Sequence, residues 1–373
     1  MSDPPVRVVL NPWREPDARE CLAPFGAETA REVRGFHATL DDYAATPLHA
    51  LPGLAGELGL GQVWVKDEGH RFGLKAFKGL GASYAMARIV EGAAGPQTFV
   101  TATDGNHGRA VAWAAQRMGH RSIVYLPEAA SVGRAEAIAE LGAEIRRTDG
   151  DYEAACREAA DLADNSDATL LQDVAWPGYD MIPRFIMQGY LTLMDEAVEQ
   201  MAGESPTHVL LQCGVGSFAG AVAAYCLHVF EPAPQVILVE PAASASAEAA
   251  FAAGTDAPPL ATVTGHPFMA CLACAQLSTV GWDILRRHAD ALIVADDDVA
   301  RLGMRELATP RGADPAIVSG ESGAATTGAL IETCRDAIGS RARLGLDADA
   351  RVLLISTEGD TDPEVYRATV AGA

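Results

Sequence analysis

The sequence lacks a long apolar run and is short of positive charge. Lys and Arg number 28 against 50 Asp and Glu, which gives a net charge of −22 at pH 7. Nucleic-acid phosphates and anionic membrane surfaces repel such a chain. No stretch of about 18 residues is apolar enough for a membrane span, and the N-terminal segment does not resemble a secretory signal. We therefore expect a cytoplasmic protein with no nucleic-acid or membrane partner.

Cysteine is also scarce, with seven residues scattered along the chain. An odd, scattered set favours reduced thiols over a disulfide framework. Cys271 and Cys274 form a CxxC pair, but a structural zinc site would need a second ligand pair of similar spacing, which the sequence lacks. We therefore expect no metal site, and we expect these two residues to be buried free thiols.

Short β-branched runs alternate with helical stretches through most of the 373 residues, a length that suggests two domains. Residues 77–90 and 106–119 have a helical pattern. The predicted strands are residues 62–66, 97–103, 122–127, 144–148, 168–173, 207–213, 235–240, 291–296 and 351–357. Apolar runs flanked by helices are typical of parallel strands buried on both faces. The pattern predicts an α/β fold with doubly wound sheets, in which ligands lie beyond the carboxyl ends of the strands.

Three polar motifs lie at such strand ends. The first contains Lys75 and Lys78 at the opening of a helix. The positive end of the helix dipole would lower the pKa of a lysine there and favour the neutral, nucleophilic amine. Taken alone, such a lysine is more often a solvated charge.

The second motif runs from Thr101 to Gly108 and the third from Gly214 to Gly220, and each leads from a strand into a helix. Free backbone N–H groups at such a turn can bind a carboxylate or a phosphate. Ordinary helix capping by Thr103 or Asp104 explains the second motif equally well. The third motif alone does not exclude a nucleotide.

Together and in this order, the motifs resemble those of the fold type II family of pyridoxal-phosphate enzymes, which includes threonine and serine dehydratases. The resemblance covers roughly residues 45–367. The segments KDEGHRFGLKAFK, ATDGNHGRAVAWAA, QDVAWPGYD, GESGA and STEGDTDPEVYR are similar to those of the diaminopropionate ammonia-lyases within it. The resemblance implies a larger cofactor-binding domain, residues 1–82 with 189–373, and a smaller mobile domain, residues 83–188. It also implies a homodimer, across whose interface the apolar N-terminal segment could pack.

The family pattern implies a role for each matching residue. Lys78 would hold pyridoxal phosphate as a Schiff base, and Asn106 would hydrogen-bond the phenolic oxygen of the cofactor. Ser356 or Thr357 would place a hydroxyl at the pyridine nitrogen, which favours loss of a β-leaving group. The other expected cofactor-binding residues are Phe77, Gly214, Val215, Gly216, Ser217 and Phe218. The expected substrate-binding residues are Thr103, Asp104, Gly105 and His107, although His107 could simply be a structural residue at the start of a helix.

Asp104 stands where dehydratases of the family usually carry serine. A carboxylate there would attract an ammonium group on Cβ of the substrate and could act as a general base from the face opposite Lys78. Asp173 is a second candidate acid or base. Two bases on opposite faces would let one enzyme accept both D and L substrates. Trp176 and Tyr179 could form a wall beside the substrate or could be core residues.

The function implied by the resemblance is α,β-elimination, most simply of 2,3-diaminopropionate to pyruvate and ammonia. The segment from Met269 to Ser278 and the segment around Ser244 depart from the lyase pattern, so another leaving group stays open. The alternatives are a serine, threonine or hydroxyaspartate dehydratase and, more remotely, a non-catalytic pyridoxal-phosphate-binding protein.

Overall fold

A computed structural model of the chain describes residues 4–103, 105–265, 267–336 and 339–372. Over this part of the chain the helices and strands alternate as expected. The strands are β1 (Val6–Leu10), β2 (Leu48–Ala50), β3 (Gln62–Asp67), β4 (Thr98–Ala102), β5 (Arg121–Leu126), β6 (Glu144–Arg147), β7 (Ala168–Leu170), β8 (His208–Gln212), β9 (Gln235–Pro241), β10 (Ala291–Ala295) and β11 (Arg351–Ser356).

The α-helices connect and cover these strands. They are α1 (Ala27–His37), α2 (Pro52–Leu58), α3 (Lys78–Ile89), α4 (Asn106–Met118), α5 (Val132–Ala139), α6 (Tyr152–Asp164), α7 (Met181–Gly189), α8 (Leu191–Gln200), α9 (Ser217–Val229), α10 (Ser246–Ala253), α11 (Thr279–His288), α12 (Asp297–Ala308), α13 (Ala325–Arg335), α14 (Ser340–Arg343) and α15 (Pro363–Val370). None of the helices in the described ranges is long and apolar enough to cross a membrane.

The strands form two sheets. The larger has seven strands in the order β1-β10-β9-β8-β11-β3-β2, and the smaller has four in the order β6-β5-β4-β7. The smaller sheet is parallel throughout, whereas β1 and β2 join the edges of the larger sheet antiparallel to its parallel centre. The α/β class and the mainly parallel sheets expected from the sequence are confirmed.

Side chains of the larger sheet alternate between two hydrophobic cores. Along β11, Leu353 and Ile355 belong to one core with α3, α8 and α9, while Val352 and Leu354 belong to the other with α12 and α13. This alternation is the two-residue period of a strand covered by helices on both faces. The apolar runs that gave no periodic signal in the sequence are therefore strands with two buried faces.

The N-terminal segment was not predicted as a strand. Residues Val6 to Leu10 form β1, which pairs with β10 of the same chain, and Val6 and Val8 are buried. The strand predicted at residues 168–173 is also shorter than expected, because it ends at Leu170. Asp173 therefore lies in the loop between β7 and α7.

Candidate active site

The central contact of the candidate site joins Lys78 to Asp173. Lys78 is the first residue of α3, and its Nζ donates a hydrogen bond to Asp173 Oδ2. Burial disfavours the ammonium, but the attraction of the Asp173 carboxylate outweighs it and holds the pKa of Lys78 well above its ordinary value. The expectation of a lowered lysine pKa is therefore wrong, because it considered the helix terminus without the carboxylate across the cleft.

The carboxyl group of Asp173 is shifted in the opposite direction. Burial favours its neutral form, yet the positive charge of Lys78 holds the pKa of Asp173 well below its usual range. The exposed fractions of the two side chains are 21% for Lys78 and 11% for Asp173. The structure thus brings together two of the three expected catalytic residues. The third, Asp104, lies outside the described residues.

Lys75, the other lysine of the motif, points away from this pair. Its Nζ lies 2.7 Å from Asp360 Oδ1, and its φ of +58° is in the left-handed region. The turn carries the chain past Phe77, whose ring lies 4.7 Å from that of Phe218 in the glycine-rich segment. Of the two lysines, only Lys78 reaches the site.

The turn that leads to Lys78 is fixed by a fully buried ionic network that the sequence did not suggest. Arg71 donates hydrogen bonds to both carboxylate oxygens of Glu68 and both of Glu196 on α8. Lys66 Nζ lies 2.7 Å from Glu196 Oε2, and all four side chains are completely buried. Two cations balance two carboxylates, so the network can exist away from water.

The second motif opens α4, as predicted. Thr103 Oγ1 accepts a hydrogen bond from the N–H of Gly105, which is the residue preceding the helix. Gly105 has no side chain that could cap α4. Thr103 thus closes the turn rather than capping the helix. Asn106 Nδ2 donates to Glu358 Oε2 at 2.5 Å and lies 3.7 Å from Cys271 Sγ. The Asn106 amide therefore faces the cleft between the two sheets.

His107 is buried behind Asp173. Its Nε2 lies 2.8 Å from the carbonyl oxygen of Leu171, and its Nδ1 lies 3.8 Å from Asp173 Oδ2. Burial lowers the pKa of His107, which favours the neutral ring. His107 thus has the structural role considered from the sequence, because it contacts the backbone at Leu171. Its ring also faces Asp173, the candidate acid or base.

The glycine-rich segment lies across the cleft at the start of α9. Gly216 has φ +83° in the left-handed region, and Ser217 begins the helix. The N–H groups of the first helical turn have no intrahelical acceptor and can bind an anion. A Cβ on Gly214 would lie 3.2 Å from Leu272 Cα, so the segment packs closely on its neighbour. Ser217 Oγ donates a hydrogen bond to the backbone oxygen of Asp173 at 2.6 Å. This bond links the glycine-rich segment to Asp173, the partner of Lys78.

Ser356 ends β11 and Thr357 follows it, and both residues are buried. Ser356 Oγ lies 2.7 Å from Ser319 Oγ, whereas the backbone oxygen of Thr357 accepts from the N–H of Phe77. The strand end and the segment before Lys78 are therefore joined directly.

Glu358 was not among the predicted site residues, although it lies in the STEGDTDPEVYR segment that resembles the diaminopropionate ammonia-lyases. Besides Asn106, Glu358 accepts the N–H of Ser322 at 3.0 Å. Burial and the charge of Glu358 raise the pKa of the neighbouring Glu321 to about 7.

Tyr190 was also not among the predicted site residues. Its buried ring lies 4.7 Å from that of Phe77, and burial raises the pKa of its hydroxyl, which lies in the field of Lys78.

The CxxC pair differs from expectation. All seven cysteines are free, but Cys271 is exposed and Cys274 only partly buried. Both lie on or just after the short 3₁₀ turn Ala270–Leu272, which faces Gly214 at the edge of the cleft instead of entering the core. The expectation of buried thiols is therefore wrong for Cys271.

Trp176 and Tyr179 brace the loop that carries Asp173. Their rings stack with centroids 4.3 Å apart. The Tyr179 hydroxyl accepts the N–H of Gln172 at 2.9 Å and donates to the carbonyl oxygen of Leu170 at 2.8 Å. Both rings pack against the core of the smaller sheet while remaining half-buried.

Comparisons with known proteins identify the family of the chain. Residues 39–358 match the family described as "Pyridoxal-phosphate dependent enzyme". The chain is 43% identical over 373 aligned residues to the diaminopropionate ammonia-lyase of Salmonella typhimurium, and the alignment covers 92% of each protein. The crystal structure of the Escherichia coli diaminopropionate ammonia-lyase with an aminoacrylate–PLP azomethine reaction intermediate is 40% identical, with a TM-score of 0.91 and coverage of 99% of this chain and 97% of that one. The same E. coli enzyme in complex with D-serine is 41% identical, with a TM-score of 0.89 and coverage of 98% of this chain and 96% of that one.

Proposed function

The chain belongs to the family of pyridoxal-phosphate-dependent enzymes, and from this we propose that it converts 2,3-diaminopropionate to pyruvate and ammonia by α,β-elimination. The observation that carries the proposal is that Asp173 joins Lys78, through its carboxylate, to the glycine-rich segment, through its backbone oxygen and Ser217. The similarity to named diaminopropionate ammonia-lyases over nine-tenths of the chain supports the reaction class.

The cleft has the groups that pyridoxal phosphate requires. An amine for the covalent bond is present at Lys78, and a helix N-terminus that suits a phosphate is present at Ser217. The turn before that helix is glycine because a Cβ at Gly214 would press on the backbone of residues 271 and 272. Asn106 would contact the phenolic oxygen, and Ser356 or Thr357 would contact the pyridine nitrogen.

When bound, pyridoxal phosphate supplies an electron-withdrawing ring that makes the Cα proton of an amino acid acidic. The residues of the chain do the rest. Lys78 exchanges protons at Nζ with Asp173 Oδ2, to which it is hydrogen-bonded. Asp173 is held in place through its backbone by Ser217 and is screened from water by its burial. Under the two-base hypothesis drawn from the sequence, Asp104 would receive a proton from substrates of the opposite hand.

The acidic character of the cleft favours a substrate with a second ammonium group. Glu321 and Glu358 place two carboxylates beside the Lys78–Asp173 pair, and the charges of Arg109 and Arg134 offset them only in part. An ammonium on Cβ would find complementary charge there, whereas a sulfonate or a second carboxylate would be repelled.

A hydroxyamino acid is the second candidate substrate. Cys271 contacts Asn106 at the edge of the cleft in a segment that departs from the lyase pattern, and the E. coli relative has been crystallised with D-serine. This alternative would change the leaving group from ammonia to water without changing the residues that hold the cofactor.

Product stoichiometry with D- and L-2,3-diaminopropionate tests the proposal. We expect two ammonia for each pyruvate. Consumption of serine, threonine or hydroxyaspartate with one ammonia per keto acid, and none of diaminopropionate, would establish the dehydratase instead. A shifted cofactor absorbance without keto acid would establish a binding protein. Asp104→Asn should reduce turnover of the D isomer far more than that of the L isomer, and equal losses would contradict the two-base arrangement.

The proposal extends to the domain organisation, the oligomeric state and the location of the protein. We propose a larger cofactor-binding domain, residues 1–82 with 189–373, that contains the seven-stranded sheet, and a smaller mobile domain, residues 83–188, that contains the four-stranded sheet. We further propose a homodimer in the cytoplasm. Light scattering of the purified protein would test the dimer, and cell fractionation would test the location.

A further inference from the structure

His107 carries a buried polar atom without a partner at the centre of the site. The residue is 5% exposed, and its Nδ1 has no hydrogen-bond partner among the described residues. Asp173 Oδ2 lies 3.8 Å from this nitrogen. A buried nitrogen left unpaired is costly and uncommon, so its presence beside the Lys78–Asp173 pair calls for a physical reason.

The protonation of the ring follows from its other nitrogen. Nε2 lies 2.8 Å from the carbonyl oxygen of Leu171, which can only accept, so Nε2 must carry the hydrogen. In the neutral ring Nδ1 is then a bare lone pair. While Asp173 is ionised and bound to Lys78, two acceptors therefore face each other and no hydrogen bond can form between them.

A proton on Asp173 would remove this conflict. Lys78 must lose a proton before its amine can attack the aldehyde of pyridoxal phosphate. The acceptor already hydrogen-bonded to Nζ is Asp173 Oδ2. Once protonated, the Asp173 carboxyl can donate to His107 Nδ1 after an approach of about 1 Å to normal hydrogen-bond distance.

We propose that His107 is the positioning residue that receives this hydrogen bond, and that it thereby lets Asp173 take the proton which Lys78 releases when it bonds to pyridoxal phosphate. One N–H bond of Lys78 breaks as one O–H bond of Asp173 forms. The amine nitrogen then forms a double bond to the aldehyde carbon, and its two remaining hydrogens leave with the carbonyl oxygen as water. The inference rests on the proposed cofactor and not on the proposed substrate.

Two substitutions separate this role from simple packing. Glutamine at position 107 keeps an amide where Nε2 lies, and so keeps the hydrogen bond to Leu171, but it removes the Nδ1 acceptor. Asparagine does the reverse, because its amide oxygen reaches the Nδ1 position while the contact with Leu171 is lost. His107→Gln and His107→Asn therefore each keep one hydrogen-bonding position of the ring and lose the other.

The measurement is the rate at which the full-length chain, stripped of cofactor, regains its visible absorbance after pyridoxal phosphate is added. We expect His107→Gln to slow this rate about tenfold or more. We expect His107→Asn to slow it less, although His107→Asn should have the lower thermal unfolding midpoint of the two variants because it loses the contact with Leu171. Slowing of both variants to the same extent, slowing of His107→Asn alone, or wild-type rates in both would overturn the proposal. No substrate is present, so failure of the diaminopropionate assay leaves this test intact.

Nitrogen-15 NMR of the wild-type histidines gives a second readout. We expect the Nδ1 signal of His107, identified by its absence from both variants, to move upfield when the cofactor is loaded, because a lone pair becomes a hydrogen-bond acceptor. An unchanged Nδ1 signal would show that Asp173 does not donate to the ring and would overturn the proposal.

Discussion

Replacing Glu196 with glutamine would leave two buried cations facing one carboxylate. Glu196 accepts hydrogen bonds from Arg71, Lys66, the Tyr43 hydroxyl and the N–H of Thr46, and its side chain is completely buried. Glutamine has the same shape but no charge. The variant therefore tests the charge balance of the network that holds the turn before Lys78, and it makes no cavity.

The structure sets the expected magnitude. Burial opposes ionisation of Glu196, but Arg71 and Lys66 more than compensate and lower its pKa from 4.5 to about 2. At about 1.4 kcal/mol for each pKa unit, the ionised carboxylate contributes about 3–4 kcal/mol to the free energy of unfolding at neutral pH. Removing one partner of a buried ion pair typically costs about 3–5 kcal/mol, which agrees. Because the folded-state pKa is the lower one, this stabilisation is complete above about pH 4.5 and is lost as the pH falls through about 2.

Urea unfolding at a series of pH values measures this effect. We expect Glu196→Gln to be less stable than wild type by about 3–5 kcal/mol at pH 7, with a difference that shrinks as the pH approaches 2. Glu199→Gln is the matched control, because Glu199 lies 2.6 Å from Arg34 but is 68% exposed, and its loss should be below about 1 kcal/mol. A difference between Glu196→Gln and wild type that is below about 1 kcal/mol, or that does not change with pH, would refute the assignment to buried charge.

Three further outcomes follow from the site. Lys78→Ala should abolish the absorbance of covalently bound cofactor and lower kcat/KM by about 10³ or more; retained absorbance would show that another amine holds the cofactor. Gly214→Ala should weaken pyridoxal-phosphate binding about tenfold in equilibrium dialysis, since its Cβ would press on facing backbone, whereas Gly133→Ala, which meets nothing within 4 Å, should bind normally. Tyr179→Phe leaves the N–H of Gln172 without its partner and should lower the urea-derived free energy of unfolding by about 1–3 kcal/mol, and an unchanged value would mean that water replaces the hydroxyl.

Features determined by neighbouring residues could be predicted from the sequence. The buried strands and the helices that begin near Lys78, Asn106 and Ser217 were found close to their observed ends, because apolar runs and turn residues are local signals. The glycine-rich segment was recognisable because only glycine suits its left-handed turn and close approach. The edge strand at Val6 was missed, because five residues near a terminus carry too little pattern to reveal their partner.

Features that depend on distant partners were decided only by the tertiary structure. Lys78 and Asp173 are 95 residues apart, and Asn106 and Glu358 are 252 apart. A helix terminus alone would lower the lysine pKa, but the folded chain brings a carboxylate to it, and the opposite charge reverses the direction of the shift. The residue types and their order thus identify the chemistry of this protein. The direction of each proton equilibrium depends on which charges folding brings within contact, and local sequence does not contain that information.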